Sequence, residues 1–274
     1  DLIKTKKKGL IFDVKGLYHP KDKIICFLRY YPDSNGDRIR NDTRYSKIYD
    51  LKQRYEFLRK NYPDFIFYSN QADMELQGVN IKNIRQIYKP KNCYKNLKKA
   101  DNLTQNQQKA LDFCDILINN TQITSDDIGI TGSIMVGLDR ENSDIDVIIY
   151  GTEISRKIQE ELKRLYENEN ILVRKYNLEE FKKHYEFRAG NSGISFKDFM
   201  RSEKRKLHQG KFQQTDFFIR YIKSPKDWVG KFSDYNYKNF GMVKLKAKIL
   251  DSSDSIFTPC SYKIKSLRLL VLLK

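Results

Sequence analysis

The sequence is poor in histidine and cysteine. With three histidines, chemistry built on a histidine base is not expected. The four cysteines, Cys26, Cys93, Cys114 and Cys260, are scattered, with no C-x-x-C pair and no nearby histidine. This spacing predicts neither a zinc site nor a disulfide framework, and a reducing cytoplasm is the expected compartment. No apolar run reaches the roughly 18 residues that a membrane helix needs, so we expect no membrane partner.

Acidic residues are outnumbered by basic ones. The 52 Lys and Arg against 35 Asp and Glu give a formal net charge of +17. This excess favours a polyanionic partner, because basic groups near phosphates release counterions. A Lys-rich composition set by an AT-biased or thermophilic genome is the open alternative. The 18 Tyr and 16 Phe, many beside Lys or Arg, suit RNA or single-stranded DNA and equally a Tyr-rich core.

Three domains are predicted, and the predicted fold class is α+β. Residues 1–100 read as a basic α+β N-terminal domain of unknown role, and a polar, Lys- and Asn-rich stretch over 89–102 marks its end. In residues 101–225 strands alternate with helices, which indicates a mixed sheet flanked by helices. Residues 226–274 read as a β-rich C-terminal segment. Because the chain starts without Met and ends on the apolar run SLRLLVLLK, we expect further sequence at its termini.

Hydrophobic periodicity predicts the elements of these domains. In the first domain it predicts a helix over 51–60 capped by Asp50, and a strand with a short helix over 76–88. In the second domain Thr104 is predicted to cap a helix. The other predicted helices there are 134–138, 153–167, 178–188 and 195–207. The predicted strands there are 128–131, 145–150, 171–176 and 215–222.

Two aspartates begin an otherwise apolar strand in the run TGSIMVGLDRENSDIDVIIY, residues 131–150. Residues i and i+2 of a strand share a face and lie roughly 6.5–7 Å apart, so Asp144 and Asp146 should project together. Asp is rare in strands, and two bare carboxylates repel each other. A pair of Mg²⁺ ions would remove that repulsion. The alternative is a surface turn that caps the strand.

Gly132 and Ser133 stand between a predicted strand and a predicted helix. Glycine lets the backbone approach a ligand closely, and the first helical N–H groups with the Ser133 hydroxyl offer donors to phosphate. Ser133 is alternatively a helix N-cap, a role compatible with phosphate binding. A phosphate cradle beside two carboxylates is the minimum apparatus for a nucleoside triphosphate.

The pattern Gly-Ser, ten residues, then Asp-Ile-Asp and apolar residues resembles the signature of the DNA polymerase β-like nucleotidyltransferase superfamily. The resemblance covers residues 104–222, and its most specific part is 129–151. It implies transfer of a nucleoside monophosphate from an NTP with release of pyrophosphate. By the family pattern Gly132 and Ser133 would hold the triphosphate, while Asp144 and Asp146 would bind two Mg²⁺ ions, with Mn²⁺ as the alternative metal. The GLIFDVKG opening and the basic first domain are similar to poorly characterised archaeal members, which gives no substrate.

The family normally adds a third catalytic, metal-binding carboxylate from a later strand, near the attacking hydroxyl. The best match is Asp216 in QTDFFIRYI, and Asp227 and Glu203 are weaker candidates. The alternative for Asp216 is an edge-strand aspartate paired with Arg220.

A basic stretch precedes Asp216, and it is predicted to grip a phosphate backbone or the leaving pyrophosphate. Its members are Lys197, Arg201, Lys204, Arg205, Lys206, His208 and Lys211. We select Lys204, Arg205, Lys211 and Arg220 as nucleic-acid-binding candidates, with a solvated helix face as the alternative. The predicted acceptor is RNA or DNA. Two alternatives remain open: nucleotidylation of a protein or small molecule, and a non-catalytic nucleic-acid-binding protein with a degenerate transferase core.

Overall fold

The computed structural model describes residues 1–168, 172–189, 192–234 and 236–273. These residues form an α+β protein with two compact units. The first unit combines residues 1–88 with the chain from Pro225 onward, and the second is continuous, from Lys89 to Ser224. The second unit thus begins before the predicted residue 101, and the C-terminal segment groups with the first domain.

The first unit is built on an antiparallel sheet of eight strands. Its path runs β4-β5-β3-β2-β1-β8, and β7 pairs with both β3 and β6. The strands are β1 (Leu2–Thr5), β2 (Ile11–Val14), β3 (Lys23–Pro32), β4 (Arg38–Arg40), β5 (Thr43–Lys47), β6 (Ile66–Ser69), β7 (Met74–Asn80) and β8 (Ile84–Tyr88). Its core cluster contains Ile3, Leu10, Phe12, Cys26, Leu28, Leu58, Phe65 and Val79.

The helix of this unit is α1 (Leu51–Asn61), and its start was predicted correctly. Asp50 caps it by accepting a hydrogen bond from the Gln53 backbone N–H at 2.8 Å. The predicted short helix within 76–88 is instead a single 3-10 turn, Ile81–Asn83, followed by β8. Pairing of β8 with β1 satisfies the backbone there, so tertiary pairing overrides the local pattern.

The second unit contains a five-stranded mixed sheet in the order β11-β12-β13-β10-β9. Strand β10 lies parallel to β13, and the other pairs are antiparallel. The strands are β9 (Ile128–Ile130), β10 (Ile145–Tyr150), β11 (Val173–Arg174), β12 (Gln209–Phe212) and β13 (Thr215–Ile222). The helices are α2 (Pro90–Leu97), α3 (Gln105–Thr121), α4 (Gly132–Met135), α5 (Thr152–Glu167), α6 (Leu178–Ala189) and α7 (Phe196–Glu203).

Most predicted elements of this unit are confirmed, but several differ, among them the helix predicted over 195–207, which ends at Glu203. Thr104 caps α3 through a capping box with Gln107. The helix predicted over 134–138 is a single turn that starts at Gly132, because the chain turns again at Gly137, where φ is +61°. The strand predicted over 171–176 is two residues long where described, and residue 171 lies outside the described residues. Strand β12 was not predicted.

Helix α2 occupies the polar stretch predicted to be a boundary. Pro90 suits its first turn, where a missing N–H costs nothing. Tyr94 is buried and donates a hydrogen bond to the Asp115 carboxylate of α3 at 2.9 Å. The polar composition gave no sign of this helix, because only Pro90 and Tyr94 among its residues are buried.

The two faces of the second sheet differ in chemistry. Phe217, Ile219 and Tyr221 of β13 are buried on one face, where the Phe113 ring of α3 lies 4.5 Å from the Phe217 ring, measured between centroids. Helices α3 and α5 contact the sheet. The alternate positions of β10 and β13 point the other way and carry the charged residues.

The C-terminal strands form a separate antiparallel hairpin, β14 (Met242–Asp251) with β15 (Lys263–Leu273). These two strands agree with the β-rich character predicted for residues 226–274. The chain between them contains Pro259, and residues 258–262 are not a strand. Across the described residues, no helix has both the length and the apolar character to cross a membrane.

Candidate active site

Asp144, Asp146 and Asp216 belong to one face of the second sheet. Asp146 is inside β10 and pairs in register with Phe218 of β13. Asp144 and Asp216 each stand one residue before the paired Ile145 and Phe217. Residues in register on neighbouring strands share a face, and so do residues two apart. We name the face that carries these three aspartates the acidic face.

Gly132 lies against the carboxylate of Asp146. A Cβ added at Gly132 would lie 2.2 Å from Asp146 Oδ2, closer than real Cβ contacts, and φ at Gly132 is +69°. The Thr131 backbone N–H donates to the Asp146 carbonyl at 2.9 Å, which extends the pairing of β9 with β10 up to the turn. Glycine is therefore required here by both conformation and space.

Ser133 follows in the single turn of α4 and is buried. Its backbone carbonyl accepts hydrogen bonds from the N–H groups of Val136, at 3.3 Å, and Leu138, at 3.0 Å. The N-cap of α4 is Thr131, which makes no side-chain cap hydrogen bond. Ser133 is thus the second residue of the turn, so the alternative interpretation of Ser133 as a helix N-cap does not hold.

The loop before Asp144 is held by hydrogen bonds on both of its sides. Asn106 of α3 donates from Nδ2 to the Arg140 carbonyl at 2.5 Å. The Arg140 N–H donates to Ser143 Oγ, and the Ser143 N–H donates back to the Arg140 carbonyl, both at 2.8 Å. These contacts restrict the backbone from which Asp144 projects, and Asp144 itself is exposed.

Asp216 contacts Lys211 of β12 and Tyr176, which lies between β11 and α6. Lys211 Nζ of β12 lies 3.0 Å from Asp216 Oδ2, with the Asp216 side chain 51% exposed. Burial and the hydrogen bond to Asp216 together raise the pKa of the Tyr176 hydroxyl. The predicted alternative partner, Arg220, shares the strand face of Asp216, but the ion pair observed is with Lys211.

The carboxylates of the acidic face do not form a complete metal-binding site among the described residues. In the part of the chain that the structure describes, no three or more His, Cys, Asp or Glu side chains are grouped to hold a metal ion. Mg²⁺ is usually bound by one or two carboxylates together with waters and substrate phosphates. Asp146, which lies against the Gly132 turn, and Asp144, two residues before it, supply two such carboxylates, so these residues fit a metal that arrives with a nucleotide.

The basic candidates differ in their surroundings: some are exposed to solvent, and others are paired or partly buried. Lys204 and Arg205 are exposed at the end of α7, Lys211 is paired with Asp216, and Arg220 is half-buried on β13. Burial, with nearby Lys206, lowers the pKa of His208 to about 4. His208 is therefore neutral at physiological pH and adds no charge to this stretch.

The weaker carboxylate candidates lie elsewhere. Glu203 is buried, with His184 Nε2 3.5 Å from its Oε2, and it also accepts hydrogen bonds from Lys206 and Gln209. It connects α6, α7 and β12. Asp227 belongs to the other compact unit.

Arg188 of α6 is a residue that sequence reasoning missed. Its guanidinium carbon lies 5.6 Å from the centroid of the Phe218 ring, and Phe218 is the register partner of Asp146. This cation therefore stands over the acidic face. The sequence shows an Arg near the end of an amphipathic helix, and nothing in that pattern distinguishes it from a solvated residue.

Comparisons with known proteins assign no activity. No family model matches the chain. The uncharacterized protein MJ1086 of Methanocaldococcus jannaschii is 26% identical over 273 residues, which is 97% of this chain and 79% of the relative. No solved structure matches the chain.

Proposed function

We propose that this protein is a Mg²⁺-dependent nucleotidyltransferase with a DNA polymerase β-like core, which transfers a nucleoside monophosphate from an NTP to an acceptor hydroxyl. The observation that carries the proposal is the contact between the Gly132 turn and the Asp146 carboxylate, since a Cβ at Gly132 would meet Asp146 Oδ2 at 2.2 Å. That contact brings the backbone of the Gly-Ser turn against one carboxylate of the acidic pair, which is the proximity that the Gly-Ser and Asp-Ile-Asp pattern implies.

Each residue of the site has a distinct proposed role. Asp144 and Asp146 would hold the metal that accompanies the nucleotide, and Gly132 and Ser133 would border the triphosphate. Mg²⁺, when bound, neutralises charge on the phosphate oxygens. Arg188, over Phe218 on the acidic face, would add a positive charge close to the triphosphate.

The proposed transfer is a single displacement at phosphorus. The acceptor oxygen forms a bond to the α-phosphorus, and the bond from that phosphorus to the bridging oxygen of the β-phosphate breaks. Pyrophosphate leaves with the bonding electron pair. Asp216 would accept the hydroxyl proton, and for this the Lys211 ammonium, now 3.0 Å from Asp216 Oδ2, would have to exchange for the acceptor.

A nucleic-acid acceptor is favoured by charge. The chain carries a net charge of +17, and exposed Lys204 and Arg205 lie in the same unit as the acidic face. Polyanions are attracted by such an excess, whereas a neutral small molecule is not. We therefore propose RNA or DNA as the acceptor.

Label transfer from each α-labelled NTP tests this function, with Mg²⁺ and with or without cellular RNA and DNA. The wild type should label nucleic acid, and the Asp144→Asn/Asp146→Asn variant should lose transfer by at least about a hundredfold. The variant Asp101→Asn/Glu160→Gln removes the same charge from two exposed positions and should keep full activity.

Three results would contradict the proposal or its acceptor. Transfer that persists in Asp144→Asn/Asp146→Asn would overturn the site. If the label resists nucleases and disappears after protease treatment, the acceptor is a protein and not a nucleic acid. No label with any acceptor, together with no Mg²⁺-NTP binding by calorimetry, would leave a non-catalytic nucleic-acid-binding protein.

A further inference from the structure

The C-terminal hairpin gathers basic residues on one face, with the apolar Met242 and Leu250 at the two ends of that face in β14. Along β14, Lys244, Lys246 and Lys248 alternate with apolar residues, so the three lysines project to one side. The register pairs Lys246 with Arg268 and Lys248 with Lys265. We name the side formed by these five residues the cationic face.

Nothing acidic is interleaved with these cations. The sequences of the two strands contain a single acid, Asp251, at the end of β14 beside the turn. All five basic residues are exposed. Like charges directly opposite each other on neighbouring strands destabilise a sheet, and this hairpin has two such pairs. A bound polyanion would convert that repulsion into attraction.

The opposite face helps to choose the partner. Val243, Leu245, Ile249 and Ile264 point away from the cations and are 51%, 40%, 57% and 50% exposed. The faces of a two-stranded ribbon point in opposite directions. A bilayer that took up the apolar face would therefore leave the cations turned away from its acidic headgroups. A polyanion that lies along the cationic face contacts them directly.

We infer that the cationic face of the β14–β15 hairpin binds the sugar–phosphate backbone of a nucleic acid. Lysines two residues apart on a strand stand roughly 6.5–7 Å apart, so each can contact a different phosphate of one chain. Contacts to phosphate carry no base information, so binding is independent of sequence. The inference stands without nucleotidyl transfer, since it uses no residue of the acidic face.

The test compares two variants that lose the same charge. Lys244→Gln/Lys246→Gln/Lys248→Gln removes three of the five basic residues of the cationic face, and Lys60→Gln/Lys82→Gln/Lys99→Gln removes three other exposed lysines. Binding of labelled single-stranded RNA, and of DNA with the same mixed sequence, is followed by fluorescence anisotropy between about 50 and 200 mM salt. Far-UV circular dichroism and urea midpoints check that each variant is folded.

The hairpin variant should bind about ten- to a hundredfold more weakly. The magnitude of the slope of log affinity against log salt should fall by about 2, because each of the three lost phosphate contacts contributes roughly 0.7. The control variant should bind as the wild type does. Equal affinities for RNA and DNA would show that the phosphates are recognised. Tighter binding of RNA would show that its 2′-hydroxyls are contacted as well.

Equal affinity and slope in the hairpin and control variants would overturn the inference. Binding to phosphatidylserine vesicles without binding to RNA or DNA would overturn it too. The variant Asp144→Asn/Asp146→Asn should bind nucleic acid as tightly as the wild type. Lost transfer with intact binding therefore separates a failure of the proposed chemistry from a failure of this surface.

Discussion

At the scale of single residues, Gly132 carries the most specific requirement. Its φ of +69° strains any residue with a Cβ, and that Cβ would also meet Asp146 Oδ2 at 2.2 Å. The chain offers a matched control at Gly193, where φ is +72° and nothing lies within 4 Å of an added Cβ. Comparing the two positions separates backbone strain from displacement of the carboxylate.

Gly132→Ala and Gly193→Ala should each lower the free energy of unfolding by about 1–2 kcal/mol, because both place alanine at positive φ. Gly132→Ala should in addition weaken Mg²⁺-NTP binding by at least about tenfold, because Asp146 must move. Urea denaturation and calorimetry measure the two quantities. Equal NTP affinities in the two variants would show that the Gly132–Asp146 contact has no part in binding.

At the scale of elements, Glu203 connects two helices and a strand. Burial alone would raise the pKa of this carboxyl, but the neighbouring His184 imidazole, hydrogen bonds from Lys206 and Gln209, and the Lys206 charge lower it from 4.5 to about 2. A folded-state pKa below the unfolded one contributes stability that is fully present above the unfolded pKa. That contribution is lost as the pH falls through the folded pKa.

Glu203→Gln should therefore lower the free energy of unfolding at pH 7 by about 1–3 kcal/mol, since the partners of the carboxylate lose a charged acceptor. The difference from the wild type should shrink as the pH falls from about 4.5 towards about 2. Urea denaturation at several pH values measures it, with the exposed Glu160→Gln as the control. A difference that stays constant with pH would show that the carboxylate charge does not stabilise these elements.

At the scale of the whole molecule, the two compact units differ in how they use the chain. The second is continuous from Lys89 to Ser224, whereas the first needs the chain on both sides of it. A continuous unit with its own buried core, here around Phe113 and Phe217, meets the conditions for independent folding.

The fragment 89–224 should unfold in one cooperative urea transition and bind Mg²⁺-NTP with an affinity close to that of the full chain. A fragment that starts at residue 101 should be less stable, because it lacks α2 and the hydrogen bond from Tyr94 to Asp115, which measures 2.9 Å. Near-UV circular dichroism follows the transition. A longer fragment no more stable than the shorter one would place α2 outside the folding unit.

Local patterns sufficed for much of this protein. The cap at Asp50, the capping box at Thr104 and the strand over 145–150 depend on neighbours within a few residues, so the sequence alone determined them. The Gly-Ser and Asp-Ile-Asp spacing likewise led to the candidate site, because turn, spacing and strand period all act over a short range.

Only the tertiary structure decided which distant groups meet. The ion pair of Asp216 with Lys211 and the position of Arg188 over Phe218 depend on strand register and helix packing, which no local pattern records. Long-range contacts also decide that the polar stretch 89–102 contains α2. They decide as well that the chain from Pro225 groups with the first unit. Local propensity constrains a segment, but long-range contacts select its partners, and the ion pair and the cation at the acidic face arise from those contacts.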